Sequence, residues 1–167
     1  MLDTNSSETT YNVLAIMRGT TVDGPGFRTS IYLAGCNHAC PGCHNPQSWD
    51  PHAGETMKLR EILEIVEEED FNVTLSGGDP LFHPESTKIL IDALAERGRK
   101  VWVYTGYTWE EIISDDRLRN AVKNVAVVVD GPFIERLKDP DLLFRGSSNQ
   151  RLINVAASFS TGKPITL

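Results

Sequence analysis

Residues 29–46 read "TSIYLAGCNHACPGCHNP". Thr29 to Ala34 form an apolar run with β-branched and aromatic members, the composition of a strand. It stops at Gly35, where a cysteine-bearing loop begins. All three cysteines of the 167-residue chain fall in that loop, at Cys36, Cys40 and Cys43, with C-x3-C-x2-C spacing. Parallel α/β folds build their sites from loops at the C-terminal ends of strands. A strand that ends in clustered thiols therefore predicts such a fold with its chemistry at that rim. Three cysteines cannot all pair, and in a reducing compartment such a cluster points to metal or redox chemistry.

Further runs of the same kind follow at 73–76 (VTLS), 101–104 (VWVY), 125–130 (VAVVVD) and, more weakly, 151–155 (RLINV). Near-continuous apolar strands of this sort are covered on both faces, as in parallel sheets. Helices are predicted between them. In "KLREILEIVEEE", Leu59, Ile62, Leu63 and Val66 recur at i, i+3, i+4 and i+7. "PESTKILIDALAERG" opens with Pro84 and Glu85 and stops at Gly98, a C-terminal cap. Thr108 and Glu111 form a capping-box signature for a third helix, and Asp115 or Asp116 caps a further short one through Val122. The alternation implies right-handed βαβ units. A doubly wound sheet and an open partial barrel both satisfy it. There is no G-x-G-x-x-G after the first strand, so the dinucleotide fingerprint is missing.

The chain is long enough for a single domain with a real core. Its 40% hydrophobic and 23% charged residues are ordinary for a globular protein. The polar start, "MLDTNSSETTYN", lacks the basic-then-apolar order of a signal peptide and reads as a loose lead-in. No apolar run approaches the roughly 20 residues of a membrane span. The expectation is a cytoplasmic protein with a lead-in and possible edge segment at 1–20, an α/β domain at 21–155 and a tail at 156–167. A net charge of −7 argues against a general nucleic-acid binder. The "EEED" run at 67–70 reads as a solvated helix end.

Several other loops carry chemistry-bearing residues. Closely spaced cysteines on one loop suit an iron–sulfur cubane, and three ligands for four irons leave one position open. The competing reading is a Cys3His zinc knuckle with His38 or His44 as fourth ligand. "LSGGDP" (75–80) ends the second strand with two glycines that let backbone approach a ligand, or simply make a strand-to-helix turn. Asp79 adds an acceptor there. "VDGPGFRTS" (22–30) precedes the first strand, with Arg28 as an anion contact or a structural ion pair. "VYTGY" (103–107) ends the third strand. "VVDGPF" ends the fourth with Asp130 at the rim, and "FRGSSNQR" (144–151) is either a binding loop or a turn. Together these loops fall on one edge of one sheet, which predicts a single site.

C-x3-C-x2-C after the first strand and Gly77-Gly78-Asp79-Pro80 after the second resemble the radical S-adenosylmethionine superfamily. "DGPGFRTSIYLAGCNHACPGCHNP" (23–46) resembles, more narrowly, the activating enzymes of glycyl radical proteins. "VDGPFIERLKDPDLLFRGSSNQR" (129–151) resembles the branch that acts on anaerobic ribonucleoside-triphosphate reductase. The resemblance runs from about Val22 to Arg151. It implies a single-domain partial (βα) barrel of about five or six mostly parallel strands. It places a 4Fe-4S cluster on Cys36, Cys40 and Cys43, with S-adenosyl-L-methionine on the remaining iron. Gly77, Gly78 and Asp79 would bind the cofactor's amino group, largely through backbone. Gly42 and His44, flanking Cys43, would lie against the cofactor, with Asp130 and Asn149 as further contacts. No acid or base is implied, because cluster and cofactor carry the chemistry.

The activity implied is that of a radical oxidoreductase. It would reductively cleave the cofactor to a 5′-deoxyadenosyl radical and generate a glycyl radical on a partner. The partner would be the reductase large subunit, with a reduced flavodoxin-type protein as electron donor. Alternatives are an activase of another glycyl radical enzyme and a non-catalytic zinc module. Two positions depart from the superfamily pattern. Gly42 stands where an aromatic residue often precedes the third cysteine, and Asp79 is one methylene shorter than the more common glutamate.

Overall fold

The computed structural model describes residues 4–167; residues 1–3 of the expected lead-in lie outside the described residues. The strands are β1 (Thr10–Thr20), β2 (Arg28–Leu33), β3 (Glu55–Lys58), β4 (Asn72–Gly77), β5 (Val101–Tyr104), β6 (Val127–Asp130) and β7 (Arg151–Asn154). The helices are α1 (Leu59–Glu69), α2 (Pro84–Glu96), α3 (Trp109–Ser114), α4 (Asp116–Ala121) and α5 (Val155–Thr161). One seven-stranded sheet results, in the order β3-β1-β2-β4-β5-β6-β7. The pairings β2–β4, β4–β5 and β5–β6 are parallel, as the apolar runs and intervening helices require. β1, β3 and β7 join antiparallel. The sheet is open, and its parallel part is the middle.

The segment read as a lead-in is largely structural. β1 lies inside the sheet between β3 and β2, and its Tyr11 and Val13 are buried in the core. The Tyr11 hydroxyl donates to the Ser86 carbonyl of α2 at 2.6 Å. The sheet therefore has seven strands, four of them parallel in the middle, where five or six mostly parallel ones were expected. The last residues are also used. Thr166 bridges Ile153, and Asn154 N–H donates to Ile165 O, so the tail covers the outer edge of β7.

Helix ends follow their sequence signals. Thr108 Oγ1 accepts from Glu111 N while Glu111 Oε2 accepts from Thr108 N, a complete capping box. Asp115 caps α4 through Arg117 N and Leu118 N. α2 ends in a Schellman motif, with Gly98 N bonded to Ala95 O and Arg99 N to Leu94 O.

The helices cover one face of the sheet. Ile31, Leu75, Val103 and Val128 point into that layer against Ile62, Val66, Leu90, Leu94 and Ile112. The opposite face carries a smaller cluster of Trp102, Val127 and Val129, packed with Tyr104, Leu152 and Phe144. Arg28 lies on this second face, 2% exposed. It donates to Thr74 Oγ1 and to the carbonyls of Val73 and Lys100, with its guanidinium 5.4 Å from the Trp102 ring centroid. Its Nη1 also donates to Pro25 O, which ties the 21–27 loop to the sheet, and no carboxylate among the described residues forms an ion pair with it. Among the described residues, no helix is long and apolar enough to cross a membrane.

Candidate functional site

Parallel strands that all run the same way bring their C-terminal loops to one edge. There a cleft of about 250 Å³ opens. Cys36, His38, Cys40, Cys43 and His44 line it from the loop after β2. Ser76 and Gly77 line it from β4 and Gly78 from just beyond, Tyr104 from β5 with Thr105 and Gly106 following, and Gly131 and Phe133 from the loop after β6. Asn45, Trp49, Gly146 and Gln150 complete it. A smaller cavity of about 130 Å³ lies on the far side of Asp79, between β1 and the start of α2, and holds no cysteine.

The three thiols are free and half-buried. Burial pushes the Cys36 thiol pKa up, against a hydrogen bond from the His38 backbone that lowers it. Among the described residues, no three His, Cys, Asp or Glu side chains converge on a point that one ion could occupy. Three thiols spread around one cleft suit a multi-iron cluster better than a single tetrahedral ion. Both zinc-ligand candidates are engaged elsewhere. His38 Nε2 lies 2.5 Å from Asp79 Oδ2, and His44 packs on the Phe133 ring at 4.9 Å. The Asp79 hydrogen bond raises the His38 pKa.

The cysteine loop is fastened to the sheet by backbone. Gly35 N donates to Ser48 O, Cys36 N to Trp49 O, Gly78 N to Leu33 O and Asp79 N to Gly35 O. The Gly-Gly pair makes this possible. A Cβ on Gly77 would stand 2.4 Å from Leu33 O, and one on Gly78 would stand 2.5 Å from Gly35 O and 2.7 Å from Ser48 O. Gly77 thus packs against the end of β2 and Gly78 against the cysteine loop, which leaves their edge of the cleft free of side chains.

Gly42, Asp79, Asp130 and Asn149 do not line the cleft. Asp79 is 2% exposed. Its Oδ1 accepts from Leu81 N, and its Oδ2 accepts from Thr105 Oγ1, Gly106 N and His38. Asp130, 1% exposed, accepts from Trp109 N, Arg151 N and the Arg151 guanidinium. Asn149 Nδ2 donates to Pro132 O, and its Oδ1 is buried without a partner among the described residues. Gly42 has φ +75°, and a Cβ there would meet the Glu135 carboxylate at 2.7–3.1 Å. That carboxylate stands where any side chain at position 42 would begin. The residues the sequence did not single out are Trp49, Tyr104, Thr105 and Phe133. Their signal was position: three of them fall in, or end, strand-terminal loops flagged as unusual.

The chain matches the family described as "4Fe-4S single cluster domain" over residues 22–153. The anaerobic ribonucleoside-triphosphate reductase-activating protein of Salmonella typhi is 39% identical over 141 residues, covering 77% of this chain and 89% of the relative. The protein of that name from Escherichia coli K12 is 37% identical over 143 residues, with 77% and 89% covered. The one from Enterobacteria phage T4 is 33% identical over 139 residues, with 78% and 86% covered. Among solved structures, QueE from Escherichia coli superposes with a TM-score of 0.52 at 14% identity, over 72% of this chain and 70% of that one. That likeness bears on the fold alone.

Proposed function

The chain belongs to the 4Fe-4S single cluster domain family, with the anaerobic ribonucleoside-triphosphate reductase-activating proteins as its relatives, and from that premise we propose that it activates such a reductase by radical chemistry. In this reading Cys36, Cys40 and Cys43 hold a 4Fe-4S cluster, and S-adenosyl-L-methionine occupies the rest of the cleft. When bound, these groups would supply one-electron reductive cleavage of the sulfonium, the chemistry needed to leave a glycyl radical on the reductase large subunit. Electrons come from a reduced flavodoxin-type donor.

The residues present fit these groups. The donor set is three thiols lining one cleft, and the two histidines that line it with them are held by Asp79 and Phe133. Gly77 and Gly78 offer bare backbone beside the thiols. His44 and Phe133 form an aromatic wall suited to a purine. Asp79 and Asp130 act by holding the loops that make the cleft, not by touching the cofactor.

The observation that carries the reading is that all three cysteines open on one cleft at the rim of the parallel strands. The test is anaerobic reconstitution followed by iron and acid-labile sulfide counts. Electron paramagnetic resonance of a mixture with reductase, reductant and cofactor then seeks the glycyl radical. One zinc per chain without labile sulfide overturns it.

A further inference from the structure

The cysteine loop has a side-chain anchor that none of its thiols provides. Residues 34–40 form no regular secondary structure. Backbone bonds tie the loop at Gly35 and Cys36. Its middle is tied by His38, whose Nε2–H donates to Asp79 Oδ2 at 2.5 Å. The ring stands edge-on to Tyr107, with centroids 4.6 Å apart. It also lies flat against Gly106, where a Cβ would come within 2.6–2.8 Å of ring atoms. The next residue, Ala39, has φ +50°, a left-handed conformation that costs a non-glycine residue about 1 kcal/mol or more. Something must hold the backbone there, and His38 is the adjacent fixed point.

Asp79 does not need His38 for its own satisfaction. Its Oδ2 already accepts from Thr105 Oγ1 at 2.9 Å and Gly106 N at 3.0 Å, and its Oδ1 accepts from Leu81 N at 2.8 Å. The consequence of the histidine contact therefore falls on the loop side. Asp79 sits at the end of β4, and Thr105 and Gly106 follow β5. Through them the segment between Cys36 and Cys40 is referenced to two parallel strands.

We propose that His38 is a positioning residue that presets the Cys36–Cys40 segment against Asp79, so that the thiols face the cleft before any cluster arrives. Preorganisation of this kind lowers the ordering cost of binding. It also gives the shorter Asp79 a task different from cofactor contact. The role toward the cluster rests on the function proposed above; the loop anchoring does not.

The test compares full-length wild type with His38→Gln, which keeps a donor at the Nε position, and with His38→Asn, which is too short to reach Asp79. In the metal-free chain, kept reduced and anaerobic, amide hydrogen exchange over 36–43 and the thiol modification rate are measured beside the urea midpoint. Loss of a charge-assisted hydrogen bond predicts about tenfold or greater acceleration of both rates in His38→Asn, with His38→Gln near wild type. The urea midpoint should move little. After reconstitution, His38→Asn should lose iron to a chelator faster and give an altered spectrum of the reduced cluster. Equal loop protection in all three proteins overturns the proposal. So does loss of loop protection only in proportion to global stability, which marks an ordinary structural histidine. Failure of wild type to assemble a four-iron cluster refutes the cluster reading and leaves the first measurement to judge the anchoring.

Discussion

Asp130, at the end of β6, is clamped by Arg151, at the start of β7. Arg151 Nη2 lies 2.5 Å from Asp130 Oδ2, and Arg151 N donates to Oδ1 at 3.0 Å. The same carboxylate accepts from Trp109 N, the first residue of α3. One buried charge thus gathers two strands and a helix start beneath the cleft. Removing one member of a buried pair leaves the other uncompensated. Asp130→Ala should therefore cost about 3 kcal/mol, the low end for such pairs because the arginine keeps Glu110 and some water. Urea denaturation measures this. Unchanged stability with weakened cofactor binding would restore Asp130 as a ligand.

Each cysteine should be individually indispensable. Cys36→Ala, Cys40→Ala and Cys43→Ala each remove one of three thiols lining the cleft. A cubane with two protein thiolates is neither retained nor tuned, so reductive cofactor cleavage should fall at least about a hundredfold. Iron and sulfide counts should fall with it. Chelation of the wild-type protein should give the same loss, reversed by anaerobic reconstitution. Cleavage retained by any one variant removes that cysteine from the ligand set.

The elements legible in the sequence are those with a local signal of their own. β2, β4, β5 and β6 are short apolar runs buried on both faces, and the capping residues of α3 and α4 mark their own ends. β1 escaped because only Tyr11 and Val13 of its 11 residues are buried. Its place in the sheet is decided by partners far along the chain. β3 is four residues at an exposed edge and carries no pattern. The cysteines were legible because spacing alone brings them together. The orientation of Asp79 and Asp130 was not, because sequence places a carboxylate at a strand end without saying which way it turns. Both turn toward backbone N–H groups.

Gly78 tests how closely the Gly-Gly turn and the cysteine loop must approach. Gly78→Ala places a methyl 2.5 Å from Gly35 O and 2.7 Å from Ser48 O, both backbone atoms that cannot swing aside. The loop must shift, with a cost of about 2 kcal/mol or more. Gly98→Ala is the control: φ is +75°, yet nothing lies within 4 Å of the added Cβ. It should cost only about 1 kcal/mol of backbone strain. Equal midpoints for the two variants in urea would show that the loop contact is loose.

Alkaline pH should unfold the protein through its buried and half-buried tyrosines. Burial, first of all, raises the pKa of Tyr11, Tyr32 and Tyr104 above the ordinary 10.0. The Tyr11 and Tyr104 hydroxyls also donate to the carbonyls of Ser86 and Phe144 at 2.6 Å, bonds that ionisation would remove. In the unfolded chain these groups lose protons near their ordinary pKa, while the native chain keeps them. Above that point the unfolded state binds fewer protons, so stability falls as pH rises; below about pH 9 this contribution is constant. Tyr11 is 5% exposed and should contribute most cleanly. Tyr11→Phe should cost about 1 kcal/mol at neutral pH, the lost hydrogen bond. It should also make the decline between pH 10 and 11 shallower by up to about 1.4 kcal/mol per pH unit. Urea midpoints measured from pH 8 to 11 read both effects, and an unchanged alkaline slope in Tyr11→Phe would show that Tyr11 ionises in the folded protein, with β1 loosely held against α2.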